Sequence, residues 1–129
     1  MGLSALAELK EERGVITWFG MDCNIFTNPK VLRFAESVKL DVDAAVGKLG
    51  RLYGWAAQCG NETGDISHLP PGELAAIMRW RKKPSVLLDA LLESGLLDRV
   101  ADGRVSIHHW DELNGSYMRK KRLDRERKR

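Results

Sequence analysis

Eight of the chain's 21 lysines and arginines fall in its last thirteen residues, Tyr117–Arg129. Arg119, Lys120, Lys121, Arg122, Arg125, Arg127, Lys128 and Arg129 are opposed there only by Asp124 and Glu126, a local balance of +6. The formal charge of the whole chain is +3, so residues 1–116, with 13 basic and 16 acidic side chains, come to −3. The chemistry such a run offers is neutralisation of phosphates, the sequence-independent part of nucleic-acid affinity. DNA, met nonspecifically through this tail, is therefore the expected partner. The same composition also suits a solvated, frayed terminus. Met118 and Leu123 are too few apolar residues for an amphipathic core helix. Tyr117 is a ring that could stack on a base, but a ring beside charges also serves as a plain chain anchor.

Catalytic and metal-binding groups do not assemble. His68, His108 and His109 show no metal-ligand spacing, and neither do Cys23 and Cys59. His108 and His109 are expected as strand neighbours facing opposite sides, unable to share a metal. No glycine-rich phosphate cradle is present, and Cys59, near a helix end, reads as a small buried residue. The expectation is a protein that is not an enzyme and uses no cofactor or metal. Two cysteines cannot make a disulfide scaffold and suit a reducing compartment. No apolar run approaches the roughly 20 residues that span a bilayer. The N-terminus lacks the cationic start and cleavage pattern of a signal peptide. A cytoplasmic protein with no membrane contact is expected.

Several elements must position these groups. Ser4 followed by Ala5–Arg13 predicts a short helix stopped at Gly14, and Val15–Phe19 a short β-strand. Asn28 with Pro29 starts a helix carrying Val31, Leu32, Ala35 and Val38. Asp41–Cys59 is the clearest helix, with Val42, Ala45, Val46, Leu49, Leu52, Tyr53 and Ala56 on one stripe. Gly47, Gly50 and Gly54 lie within about 60° of one another on another face. Each costs such a helix roughly 1 kcal/mol against alanine, so another backbone is expected to approach there. Packing within the chain and self-association through these three glycines both satisfy that demand. Asp65–Leu69 reads as a short extended segment. Pro70-Pro71 opens a helix through Glu73–Trp80 that buries Leu74, Ile77 and Met78. Arg79, Arg81, Lys82 and Lys83 form a basic turn closed by Pro84. Ser85–Ser94 is a helix with Gly95 as its C′ residue. Leu96–Val100 and Arg104–His109 flank Ala101-Asp102-Gly103, where Asp-Gly signals a two-residue hairpin turn, with Val105 and Ile107 on one face and Ser106 and His108 on the other. The fold class expected is mainly α with a small β wing. It is a winged helix-turn-helix with strand and helix additions on its N-terminal side and a basic C-terminal tail.

From about Ile16 to Asp111 the chain resembles the N-terminal domain of phage replisome organisers and DnaD-like primosomal replication initiation proteins. The residues that carry this are Trp18, Asp22, Ile25-Phe26 and Asn28-Pro29-Lys30, then Ala45–Leu49 with Leu52–Ala56. Ala90–Asp98 and Ile107–Trp110 complete the set. The resemblance implies a scaffold for starting DNA replication: a homo-oligomer that gathers at an origin and helps bring in the replicative helicase or its loader. It also implies that the winged-helix domain is the self-association module. Longer relatives carry a second, C-terminal domain after a linker, so a fragment or a short version is expected. The division that follows is an N-terminal helical extension at 1–14, a winged-helix domain at 15–111 and a basic tail, the start of a linker, at 112–129.

A DNA-reading helix-turn-helix needs donors on the outer face of its second helix. Here that helix, Ser85–Ser94, offers Ser85, Asp89, Glu93 and Ser94 and no Lys, Arg, Asn or Gln. Arg79, Arg81, Lys82 and Lys83 before it, and Arg104 beside the wing turn, suit contact with a DNA backbone and not base reading. Protein contact is therefore the expected use of this helix. A winged-helix transcriptional regulator binding an operator as a dimer is the alternative, and an adaptor without DNA affinity a third reading. Trp18, Trp55, Trp80 and Trp110 read as core or edge-of-core rings, Trp110 pinning the tail's exit to the body.

Overall fold

A computed structural model describes residues 16–128. The helix expected over Ser4–Arg13, the 1–14 extension, Val15 and Arg129 lie outside the described residues. Five helices and one two-stranded antiparallel sheet make up the rest. They are α1 (Pro29–Ser37), α2 (Val42–Gln58), α3 (Pro71–Ile77), α4 (Pro84–Ser94), β1 (Leu97–Arg99), β2 (Val105–Ile107) and α5 (Ser116–Arg127).

The helices begin and end where local chemistry dictates. The Asn28 side chain accepts from the Lys30 backbone N–H at 2.9 Å to cap α1. Proline occupies the first turn of α1, α3 and α4, where its missing N–H costs nothing. Gly95, at φ 86°, ends α4 in the left-handed conformation. Along α2 the stripe read from the sequence faces inward, with Ala45, Val46, Leu49, Leu52 and Ala56 buried. In α1, Val31, Phe34 and Ala35 are buried while Leu32 is exposed. The third helix is shorter than expected. It stops at Ile77 because Arg79 turns left-handed at φ 57°, which puts Trp80 into the following turn. Trp80 is nevertheless buried, its Nε1 donating to the Lys83 carbonyl at 3.0 Å.

The core is one cluster centred on α2 and α4. Phe34, Leu49, Leu52, Met78, Leu87, Leu91 and Leu97 are its largest fully buried side chains. Burying a side chain of this size contributes roughly 1.5–3 kcal/mol each. Helix α4 packs between α1 and α3 and against β1, so much of its surface is structural.

The hairpin pairs Leu97 with Ile107, Asp98 with Ser106 and Arg99 with Val105. Its loop is the expected Ala101–Gly103, three residues where Asp-Gly by itself signals two, with both Asp102 (φ 69°) and Gly103 (φ 76°) left-handed. The second edge of β2 is also covered: Ile66 N–H donates to Val105 and Ile107 N–H to Gly64, both at 2.9 Å, around a bridge between Asp65 and Ser106. That arrangement corrects the strand expected at Val15–Phe19. The outer edge of β2 is taken, and residues 16–20 carry no regular structure. They are held instead by Asn114, whose Oδ1 accepts from the Gly20 N–H at 2.7 Å and whose Nδ2 donates to the Gly20 carbonyl at 3.2 Å.

The tail is likewise ordered through residue 128, where sequence alone allowed a frayed terminus. A π-helical turn, Asp111–Gly115, runs into α5, and Met118 is buried in the core. Lys, Arg, Leu and Met are strong helix formers, and one docked turn is enough to continue the helix. The docking is tight. A Cβ on Gly115 would lie 2.0 Å from the Glu62 carbonyl oxygen, and one on Gly64 2.7 Å from Trp110 Cβ. Gly115→Ala should therefore destabilise the protein by about 1–3 kcal/mol, whereas Gly72→Ala, where a Cβ meets nothing within 4 Å, should be near neutral. Urea unfolding of the two variants checks this contrast.

Candidate nucleic-acid interface

Exposed cations gather on two surfaces. The first is α5. Within it Arg119 pairs with Asp111, Arg122 with Glu62 and Glu126, and Arg127 with Asp124. Arg122 Nε lies 2.7 Å from Glu62 Oε2 and ties the middle of α5 to the loop after α2. Lys120 and Lys128 make no ion pair among the described residues, and Lys121 Nζ sits 5.8 Å from the centre of the Tyr117 ring. Tyr117 in turn packs on Trp18, ring centres 4.2 Å apart. Tyr117 is thus an anchor for the chain before α1, while Trp18 remains half exposed. Leu123 is exposed as well, so α5 buries only its first turn.

The second surface was only half legible in the sequence. Arg79, Arg81, Lys82 and Lys83 are exposed in the turn between α3 and α4, Lys82 near the Trp80 ring at 6.0 Å. Lys48 and Arg51, not singled out from the sequence, join them from α2. Lys48 Nζ donates to the carbonyls of Met78 and Arg79 at 3.3 and 2.9 Å, closing the end of α3 against α2. Burial, and then the positive charges of Arg51, Arg81 and Arg79, hold the Lys48 ammonium below its usual range. Between these cations lies a trough of about 560 Å³ lined by Phe19, Gly47, Gly50, Lys48, Arg51 and Arg79. The signal that could have found it is the repeat Gly47-Lys48-Leu49-Gly50-Arg51, where a cation follows each glycine.

The three glycines separate into two roles. Phe19 covers Gly54, its ring 3.4 Å from where a Cβ would stand. Gly47 and Gly50 have nothing within 4 Å of that position and leave the trough floor open. Arg104 is exposed beside the hairpin loop and makes no ion pair among the described residues. On α4 the exposed residues include Ser85, Val86, Asp89 and Glu93, whereas Ser94 is buried.

Two side-chain expectations are corrected. Cys59 is exposed, as is Cys23, and both are free thiols. The rings of His108 and His109 do not face opposite sides. Strand β2 ends at Ile107 and His109 is left-handed at φ 60°, which brings the ring centres to 3.9 Å. His108 Nδ1 lies 2.7 Å from Asp98 and His109 pairs with Glu112. Both line a cavity of about 250 Å³ with Asp22 and Tyr53, whose phenol is pushed up to about 12 by burial and then by Asp22. Among the described residues, no group of three or more His, Cys, Asp or Glu is placed to hold a metal ion. No described helix is long and apolar enough to cross a membrane.

Compared with known proteins, the chain matches no family model, no curated protein and no solved structure.

The Arg122 contact makes α5 docking depend on pH. The hydrogen bond from Arg122 is the largest influence holding the Glu62 carboxyl below its ordinary value of 4.5. A carboxyl lowered in the folded state contributes stability that is fully present above that ordinary value and is lost as pH falls through the folded one. Melting temperature measured from pH 6 down to pH 2 should fall less steeply for Glu62→Gln than for the native chain, with the Gln variant the less stable at pH 6.

Proposed function

We propose that this chain is a DnaD-like or replisome-organiser-like scaffold for starting DNA replication, built on a winged helix-turn-helix, which meets DNA through phosphates and not base edges. The observation that carries this reading is the separation of charge from the helix that would read bases. Helix α4, second in the helix–turn–helix–hairpin order, exposes two carboxylates, Asp89 and Glu93, and no Lys, Arg, Asn or Gln. Carboxylates facing a phosphate backbone oppose approach, and base reading in the major groove needs donors at that face. Exposed cations cluster instead on α5 and on the turn before α4, with Arg104 beside the hairpin loop, positions suited to backbone contact.

The element order α3, turn, α4, β1, β2, with Gly64–Ile66 on the far edge of β2, supports the winged-helix reading. The sequence blocks from Trp18 to Trp110 support the replication role. Self-association and delivery of a replicative helicase or its loader belong to the same proposal. They rest on that resemblance together with the exposed apolar side chains Phe26 and Leu32 on the α1 side of the fold. An operator-binding regulator is the weaker reading because α4 lacks the donors it requires.

Two measurements test the proposal. Binding to unrelated duplexes of equal length should agree within about tenfold, whereas a regulator prefers its operator by about 10³ or more. With Lys120, Lys121 and Lys128 all changed to Gln, the slope of log K against log salt should shrink by about 2–3, near 0.9 for each phosphate no longer neutralised. An unchanged slope removes α5 from the DNA interface. Light scattering after size exclusion at several concentrations reads the oligomer, and a monomer throughout would remove the scaffold role.

A further inference from the structure

The trough on α2 has a use that the tail does not supply. Three cations from two separate segments line it, Lys48 and Arg51 from α2 and Arg79 from the turn after α3. Arg81 in that turn is near enough for its charge to act on Lys48. Gathering them costs mutual repulsion, felt at the Lys48 ammonium. Nothing in the packing requires Gly47 or Gly50, since a Cβ at either would meet no atom within 4 Å. Each nevertheless weakens α2 by roughly 1 kcal/mol relative to alanine.

We propose that this trough is a binding site for a single strand of nucleic acid, with phosphates held by Lys48, Arg51, Arg79 and Arg81 and a base set against Phe19. The choice of ligand follows from charge and shape. A second copy of the chain meeting this face about a two-fold axis would set four cations against four. A polyanion removes that repulsion. Lys48 and Arg51 are i, i+3 neighbours, about 5–6 Å apart at Cβ, so they present two charges along one side of a strand. Phe19 is half-buried, wedged on Gly54 and edge-on to Tyr53 at 6.4 Å, and forms a fixed wall. A cationic groove beside an aromatic face is the arrangement that holds unpaired bases without regard to sequence. The trough, about 560 Å³, is open to solvent along its length. Unpaired bases can lay a face on Phe19 there, whereas bases stacked inside a duplex present none. The site is distinct from α5, so it survives if the tail reading fails.

The test uses the full chain and a fluorescently labelled oligothymidylate of about 15 nucleotides, read by anisotropy at several salt concentrations. Arg51→Gln with Arg79→Gly should weaken binding at least tenfold and reduce the salt slope by about 1.4, near 0.7 per phosphate on single strands. Arg79→Gly also relieves the left-handed φ of 57° at that position, so this variant is expected to melt no lower than the native chain. Gly50→Leu changes no charge and fills the trough; it should weaken the same binding while leaving the tail's cations untouched. Three outcomes overturn the proposal. One is native affinity in the Arg51/Arg79 variant. Another is a duplex of equal length competing as well as the single strand in an Arg51-dependent way. The third is Gly50→Leu breaking an oligomer while leaving oligothymidylate binding intact.

Discussion

The contact of Trp110 and Gly115 with the loop after α2 is the constraint on which the rest of this structure depends. Trp110 Nε1 donates to the Asn61 carbonyl at 2.5 Å, and its Cβ stands where a side chain on Gly64 would have to go. Gly64 is left-handed at φ 83°, and its carbonyl accepts from Ile107 on β2. Five residues on from Trp110, Gly115 passes so close to the Glu62 carbonyl that no Cβ fits. One short loop therefore receives the end of α2, the far edge of the hairpin and the start of α5. Asn61 closes it from within, its Oδ1 accepting from Gly64 N–H at 2.9 Å and its Nδ2 donating to Asp65 at 3.0 Å. Asn114, buried one residue before Gly115, then reaches Gly20 and ties in the segment before α1. Losing such a buried, satisfied pairing costs roughly 1–3 kcal/mol, because its partners are left unpaired away from water.

Charge is arranged around that joint. The tail's balance of +6, which already counts Asp124 and Glu126, overstates the charge that α5 exposes, since Asp111 stands beside Arg119 and Glu62 beside Arg122. Exposed pairs of this kind are worth little in stability, but they orient side chains and lower the field. Arg122 differs because Glu62 belongs to the joint itself, so its contact sets the direction in which α5 leaves the body. Helix direction then decides where Lys120, Lys121 and Lys128 stand relative to the surface below.

Periodicity made the helices legible, and it failed where tertiary contacts decide. The α2 stripe, the Asn28 cap and the Gly95 stop are local signals, each satisfied within a turn or two of chain. The Val15–Phe19 run has strand composition, yet whether a strand forms depends on a partner edge, and Gly64–Ile66 already holds the outer edge of β2. Alternation placed His108 and His109 on opposite faces, but a strand ending at Ile107 and a left-handed His109 cancel that rule. Gly115 and Asn114 looked like ordinary linker residues, because what fixes them lies 53 and 94 positions away in Glu62 and Gly20. The basic turn at Arg79–Lys83 was visible as composition. Its convergence with Lys48 and Arg51 was not, because it follows from α3 ending just before the left-handed Arg79, whose carbonyl Lys48 holds.

These features separate stability from recognition within one small fold. Helix α4 is packed on three sides and contributes leucines to the core, so its sequence is constrained by burial and its outer face is left acidic. In a base-reading protein that face would carry the donors. Here the cations of α5 and of the turn after α3, and the open glycines of α2, stand outside the apolar core. On the proposed function, a protein so built would hold a phosphate chain by charge and groove shape. It would gain affinity from contacts that do not depend on sequence, and salt sensitivity with them. Sequence preference would then have to come from a partner or from the nucleic acid's own deformability, since α4 exposes carboxylates where base-reading donors would stand.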